Sequence, residues 1–131
     1  MAINTLIEQV EADVADIRST AFGYTGTTSV PSAEDAGLTF ERGVEKKGIE
    51  LESCVLFADI RDSVALTEKH QHTTMGKIYT AFTKAVIKAA NYHGGYVRNI
   101  IGDRLMVVFP ADKCFTNAVE CAISINHLSA C

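Results

Sequence analysis

The chain reads as an α+β protein: a β-α-β-β-α unit preceded by a separate amphipathic helix. Three observations predict this. The apolar run Val55-Leu56-Phe57-Ala58 ends in a carboxylate at Asp59 and has the length and composition of a buried strand. Two further apolar runs flank Gly102-Asp103, the pattern of a β-hairpin closed by a tight turn. Between them, Met75, Ile78, Tyr79, Phe82, Val86 and Ala89 recur at helical spacing.

Taken in order, Ile3, Leu6, Val10, Val14 and Ile17 form a narrow apolar stripe interleaved with Glu8, Glu11, Asp13 and Asp16, which predicts a helix over about 3–20 in a segment 1–22. Such a stripe packs on its own domain or pairs with a second copy as a short coiled coil. Residues 23–50 are rich in Gly, Thr and Ser and carry Pro31 and Lys46-Lys47. They read as a connecting arm with little regular structure, the lysines as a solvated charge pair.

From about 51 to 131 the periodicity strengthens. A strand is expected over 53–59, and a helical start near Ser63 follows it. A long helix spans about 74–93 and is ended by Gly94-Gly95. The hairpin is expected over 96–101 and 104–109, with Arg104 a solvated strand residue. Pro110 closes its second strand, and Asp112 is placed to cap a last helix containing Phe115, Ala118, Val119, Ala122, Ile123 and Ile125. This order is ferredoxin-like without its last strand, so the unit reads as truncated before its later strands. A sheet in that state exposes an edge and an apolar face, and self-association through that edge or through the first helix is expected.

The bulk numbers narrow the functional classes. With 131 residues the chain suits one modest core. A net charge of −4 argues against nucleic-acid binding, which draws on clustered Lys and Arg. No apolar run reaches the ~20 residues of a membrane span, and the N-terminus lacks a basic region followed by an apolar one, so a cytoplasmic protein is expected. Cys54, Cys114, Cys121 and Cys131 lack metal-ligand spacing and read as small buried hydrophobes. His70, His72 and His93 have no partner at such spacing either, and read as structural.

The chemistry gathers at two strand ends. Were their strands neighbours, Asp59 and Asp103 would sit side by side at one end of a sheet. Two carboxylates completed by phosphate oxygens are a common way to hold Mg²⁺. The turn after Asp59, Ile60-Arg61-Asp62-Ser63, leads toward a helix N-terminus, where unpaired N–H groups favour a phosphate and where Arg61 and the Ser63 hydroxyl add donors.

Phe57-Ala58-Asp59-Ile60-Arg61-Asp62-Ser63, with Gly94-Gly95-Tyr96-Val97 and Ile101-Gly102-Asp103, closely resembles the class III nucleotidyl cyclases. The resemblance covers about residues 51–128, close to the N-terminal half of that catalytic domain. It implies the nucleotidyl cyclase fold and a head-to-tail homodimer with active sites at the interface. Two divalent ions (Mn²⁺ or Mg²⁺) would be held by Asp59, Asp103 and the backbone carbonyl of Ile60, with Ile60, Arg61, Asp62 and Ser63 at the phosphates. The implied reaction is attack of a ribose 3′ oxygen on the α-phosphate, giving a 3′,5′-cyclic nucleotide and pyrophosphate. The family's remaining base-reading residue, and its transition-state Asn and Arg, lie in the half this chain does not include, which implies that the chain alone is inactive.

Asn99 departs from the family. It stands where adenylate cyclases usually have Lys and guanylate cyclases Glu, at the residue that reads the base. An uncharged amide offering both donor and acceptor matches neither purine pattern. Together with the arm from Val30 to Gly48, Asn99 makes the chain resemble the bacterial pyrimidine cyclases. That likeness implies CTP or UTP as substrate and cyclic CMP or cyclic UMP as an alarm signal against phage, read by a separate effector protein that the cyclic nucleotide activates. A purine cyclase with an altered base pocket, and a non-catalytic dimerisation or nucleotide-sensing module, are the alternatives. No Gly-Gly-Asp/Glu-Glu-Phe signature of a diguanylate cyclase occurs.

Overall fold

The computed structural model describes residues 2–32, 34–39, 41, 43–60, 65, 68 and 71–130. The chain forms two compact units, Met1–Thr27 with Pro31–Leu51, and Thr28–Val30 with Glu52–Cys131.

The first unit holds helix α1 (Ile3–Ser19) and strands β1 (Phe22–Thr27) and β2 (Lys46–Leu51). The expectation of an irregular arm over 23–50 is corrected here, because β1 and β2 pair in parallel from Phe22↔Lys46 to Thr27↔Leu51. Tyr24 lies against Gly48, where a Cβ would sit 2.7 Å from the Tyr24 ring, so the glycine admits the aromatic. Lys46 is not solvated either: it is 2% exposed, and its ammonium donates to Asp16 Oδ2 (2.7 Å), Glu41 O (2.7 Å) and Val44 O (2.9 Å). A buried ammonium has three hydrogens to satisfy, and this cage satisfies all three.

The second unit holds β3 (Ser53–Asp59), α2 (His72–Tyr92), β4 (Tyr96–Ile101), β5 (Arg104–Pro110) and α3 (Cys114–Leu128), the predicted β-α-β-β-α order. Its sheet runs β3-β5-β4, and both pairings are antiparallel. Alternation along the strands sends Cys54, Leu56, Ala58, Leu105, Val107, Phe109 and Val97 to one face, against Phe82, Val86, Ala89 and Ala90 of α2 and Cys114, Ala118 and Cys121 of α3. Two helices on one sheet face make a two-layer domain with its core between the layers. Cys114 and Cys121 belong to that core, and burial pushes the Cys121 thiol upward.

Helix α2 ends in a Schellman motif: Gly95 N–H donates to Ala90 O, Gly94 N–H donates to Asn91 O, and Gly94 has φ 77°. Gly95 answers a steric demand as well, since a Cβ there would lie 2.6 Å from Val107 Cγ1 and 2.8 Å from the Phe109 ring. Helix α3 is capped differently from expectation. Its N-cap is Lys113 in the left-handed region (φ 53°), no side chain bonds the cap, and Asp112 instead accepts through its backbone carbonyl from the Asn117 amide. Among the apolar residues expected on this helix, Phe115, Val119 and Ile123 form a second, exposed line beside the buried one.

Candidate active site

The hairpin turn fixes the first carboxylate. Gly102, with φ 56°, precedes Asp103, which has negative φ, a placement that suits a type II′ turn with Gly first. Asp103 thereby stands at the lip of the sheet between β4 and β5. The second carboxylate arrives through strand pairing: Asp59, the last residue of β3, is registered against Arg104, and the Ile60 N–H donates to Asp103 O at 3.1 Å. Asp59 and Asp103 are therefore neighbours at one end of the sheet, as their positions in the sequence predict. Arg61, Asp62 and Ser63, expected at the phosphates, lie outside the described residues.

Arg104 is a member of this group that sequence reading placed in solvent. Its Nη2 and Nε donate to Asp59 Oδ2 at 3.0 and 3.3 Å, between side chains 58% and 41% exposed. At that exposure the pair contributes at most ~1 kcal/mol to folding, so its interest lies in occupying the carboxylate. The available signal was positional: the residue after the turn aspartate faces the end of β3 once the two strands pair.

Asn99 reaches the open face through a β-bulge. Val97 pairs with Val107 on the core side, yet Asn99 pairs with Met106, so Arg98 is an extra residue in the ladder. Simple alternation from Val97 would turn Asn99 inward. The bulge puts it beside Met106 and Phe57, on the face that also carries Asp59. Arg98 is exposed, with its guanidinium 5.2 Å from the Tyr96 ring centroid. Val55, Phe57, Tyr96 and Ile101 give this face an exposed apolar surface, Phe57 at 61%. Beside β3 lies a cleft of about 450 Å³, lined by Leu56, Phe57, Asp59, Phe82 and Ile125 among others.

Of the histidines, His93 has a structural part. Its Nε2 lies 2.8 Å from Ser124 Oγ, joining the end of α2 to α3. Glu120 is 3.9 Å from His93 Nδ1, too far to orient the ring by a hydrogen bond, so Ser124, His93 and Glu120 do not make a nucleophile–base relay. No group of three or more His, Cys, Asp or Glu able to hold a metal occurs among the described residues. A cation at this site would have Asp59 and Asp103 as its acidic ligands and would need phosphate oxygens to complete its shell. The donor set suits a hard ion brought in with a nucleotide.

Comparison with known proteins gives these features a setting. No protein-family model matches the chain. Its structure is similar to that of the guanylyl cyclase Cya2, with a TM-score of 0.51 and 17% identity over 57% of this chain and 42% of that one. The chain thus shares part of the nucleotidyl cyclase fold. In sequence the chain is similar to a uridylate cyclase of Rhodovulum sp. (strain MB263), 26% identical over 127 residues, 97% of this chain and 49% of the relative. It is also similar to a uridylate cyclase of Xanthomonas perforans, 27% identical over 92 residues, 70% of this chain and 38% of the relative. The chain resembles the class III nucleotidyl cyclases and, among them, those that act on pyrimidine nucleotides. It spans about half the length, or less, of these curated relatives. No helix among the described residues is long and apolar enough to cross a membrane.

Proposed function

We propose that this protein is a metal-dependent nucleotidyl cyclase that converts a pyrimidine nucleoside triphosphate, CTP or UTP, into its 3′,5′-cyclic monophosphate and pyrophosphate. One observation carries the reading: Asp59 and Asp103 meet at the end of a cyclase-like sheet whose open face also carries Asn99. The relatives' names support the pyrimidine.

Asp59, Asp103 and the Ile60 carbonyl would hold two divalent ions. Bound there, such ions neutralise the triphosphate and lower the pKa of the attacking hydroxyl. The protein's own residues do the rest. The two aspartates anchor the triphosphate end at the lip of the sheet, and Arg104, beside them, supplies a guanidinium to the same charge cluster. Asn99 presents an amide that pairs with the donor and acceptor edge of a pyrimidine. The apolar open face seats a second copy in a head-to-tail homodimer and excludes water from the site it closes. The product serves as a second messenger in defence against phage, in the cytoplasm, and acts through a separate effector.

The test is to offer the four ribonucleoside triphosphates, with Mn²⁺ or Mg²⁺, to the full-length protein and to identify products by mass spectrometry. Cyclic UMP or cyclic CMP is the expected product. Cyclic AMP or cyclic GMP alone would replace the pyrimidine reading with a purine one. Nucleotide binding without turnover would replace catalysis with sensing.

A further inference from the structure

Helix α1 is mounted with its apolar side outward. Only Ala12, Asp16 and the adjoining Thr20 are partly covered, a line at steps of four along one side. Asp16 accepts from the buried Lys46 ammonium (2.7 Å) and from the Gly43 N–H (3.1 Å), which pins that side to its own unit. Ile3, Ile7, Val10, Val14 and Ile17 are left between 46% and 67% exposed. Asp16 lies about 130° round the helix from the midline of Val14 and Ile17, at ~100° per residue.

Those five residues alternate in steps of four and three without a break, the a/d seam of a heptad repeat with Ile7 and Val14 at a and Ile3, Val10 and Ile17 at d. Asp13 then falls at g and Arg18 at the following e. In a parallel coil g faces e′ of the next heptad, so Asp13 of each copy meets Arg18 of the other. An antiparallel pair in full overlap instead sets Glu11, at the centre of Ile3–Ser19, against its own copy. The polar side of α1 carries Glu8, Glu11, Asp13 and Asp16 against Arg18, a balance that an anionic membrane surface repels.

We propose that α1 is a self-association element, whose exposed seam packs in parallel against α1 of another copy of this chain. The occupant is specified by the seam and by the Asp13–Arg18 complementarity across it. Because β-branched residues fill d as well as a, the same seam also accommodates more than two strands. Being short, it adds strength to an assembly more than it creates one alone.

The test is sedimentation equilibrium of the intact chain, with no nucleotide present, so its outcome is independent of catalysis. Val14→Asp is expected to abolish the α1-dependent association. Arg18→Asp, which turns every Asp13–Arg18 pair into a like-charged one, should weaken it about tenfold, and Asp13→Arg should do the same. The double exchange Asp13→Arg with Arg18→Asp should restore it. Circular dichroism would verify that each variant keeps its helix. In an otherwise unchanged chain, Ile17→Cys should form an intermolecular disulfide on mild oxidation, because a parallel seam brings the two positions together and an antiparallel one separates them by about 20 Å. A chain that stays monomeric up to its solubility limit would overturn the proposal. So would association indifferent to Val14→Asp, or charge exchanges that fail to compensate.

Discussion

Arg104 closes on Asp59 across the β3–β5 pair, through two nitrogens on the single oxygen Oδ2. A carboxylate expected to bind cations thus already has one. A divalent ion arriving at Asp59 must displace or share the guanidinium. Arg104→Gln should therefore tighten the binding of Mn²⁺ to the nucleotide-free protein by about 2–5-fold, the worth of an exposed ion pair. Isothermal titration calorimetry would measure this. An unchanged affinity would show that the pair does not compete with the ion.

Asp59→Asn and Asp103→Asn, each in the full-length protein, should lower cyclic nucleotide formation at least ~100-fold, with the melting temperature within a few degrees of wild type. Both side chains lie at the lip of the sheet and outside the core, so neither substitution disturbs the apolar packing. Turnover retained in Asp59→Asn would remove that residue from the metal site.

Asn99→Ala should reduce the preference for pyrimidine over purine triphosphates by about tenfold or more, while leaving Mn²⁺ affinity unchanged. A lost hydrogen bond to a substrate edge costs discrimination more than lost contact area does. Competition assays with mixed triphosphates would read the ratio directly.

Gly95→Ala should destabilise the second unit by about 1–3 kcal/mol, since a Cβ has no room between Val107 and Phe109. Gly94, with φ 77°, faces open space, so alanine there is strained through backbone conformation alone. Urea unfolding of the two variants, side by side, would separate the two causes.

The first unit should respond to acid. The Lys46 ammonium bonded to Asp16, followed by the Gly43 amide, holds that carboxyl below the usual carboxylate range. Its stabilisation is complete above the unfolded-state value of about 3.9 and is lost as pH falls toward the depressed folded value. Asp16→Asn should flatten this acid limb, and Lys46→Met should destabilise at neutral pH by leaving three acceptors without their donor. Thermal melts between neutral pH and about pH 3 would show both.

What the sequence makes legible follows from the range of its signals. The stripe of α2, the strand before Asp59 and the Gly-Asp hairpin are each written in consecutive or helically spaced residues, and each forms where expected. The adjacency of Asp59 and Asp103 follows as soon as β3 and β5 are neighbours. The β1–β2 pair was hidden because Phe22–Thr27 and Lys46–Leu51 are short and broken by Gly23, Gly26 and Gly48, and each lacks meaning without a partner far along the chain. Lys46 looked solvated because its carboxylate partner, Asp16, comes from a distant helix, and its other acceptors are backbone carbonyls of Glu41 and Val44, which carry no sequence signal. Asn99 owes its face to a register shift at Arg98, which alternation along the strand does not reveal.

That shift also has an evolutionary reading. Because Arg98 stands outside the ladder, a gene could drop its codon and leave Tyr96–Val108, Val97–Val107 and Asn99–Met106 paired as they are. A hairpin one residue shorter would then keep the side chain paired with Met106, the one proposed to read the base, in place. An alignment that treats the one-residue gap as noise would shift that proposed base-reading position by one, onto a side chain of the opposite face.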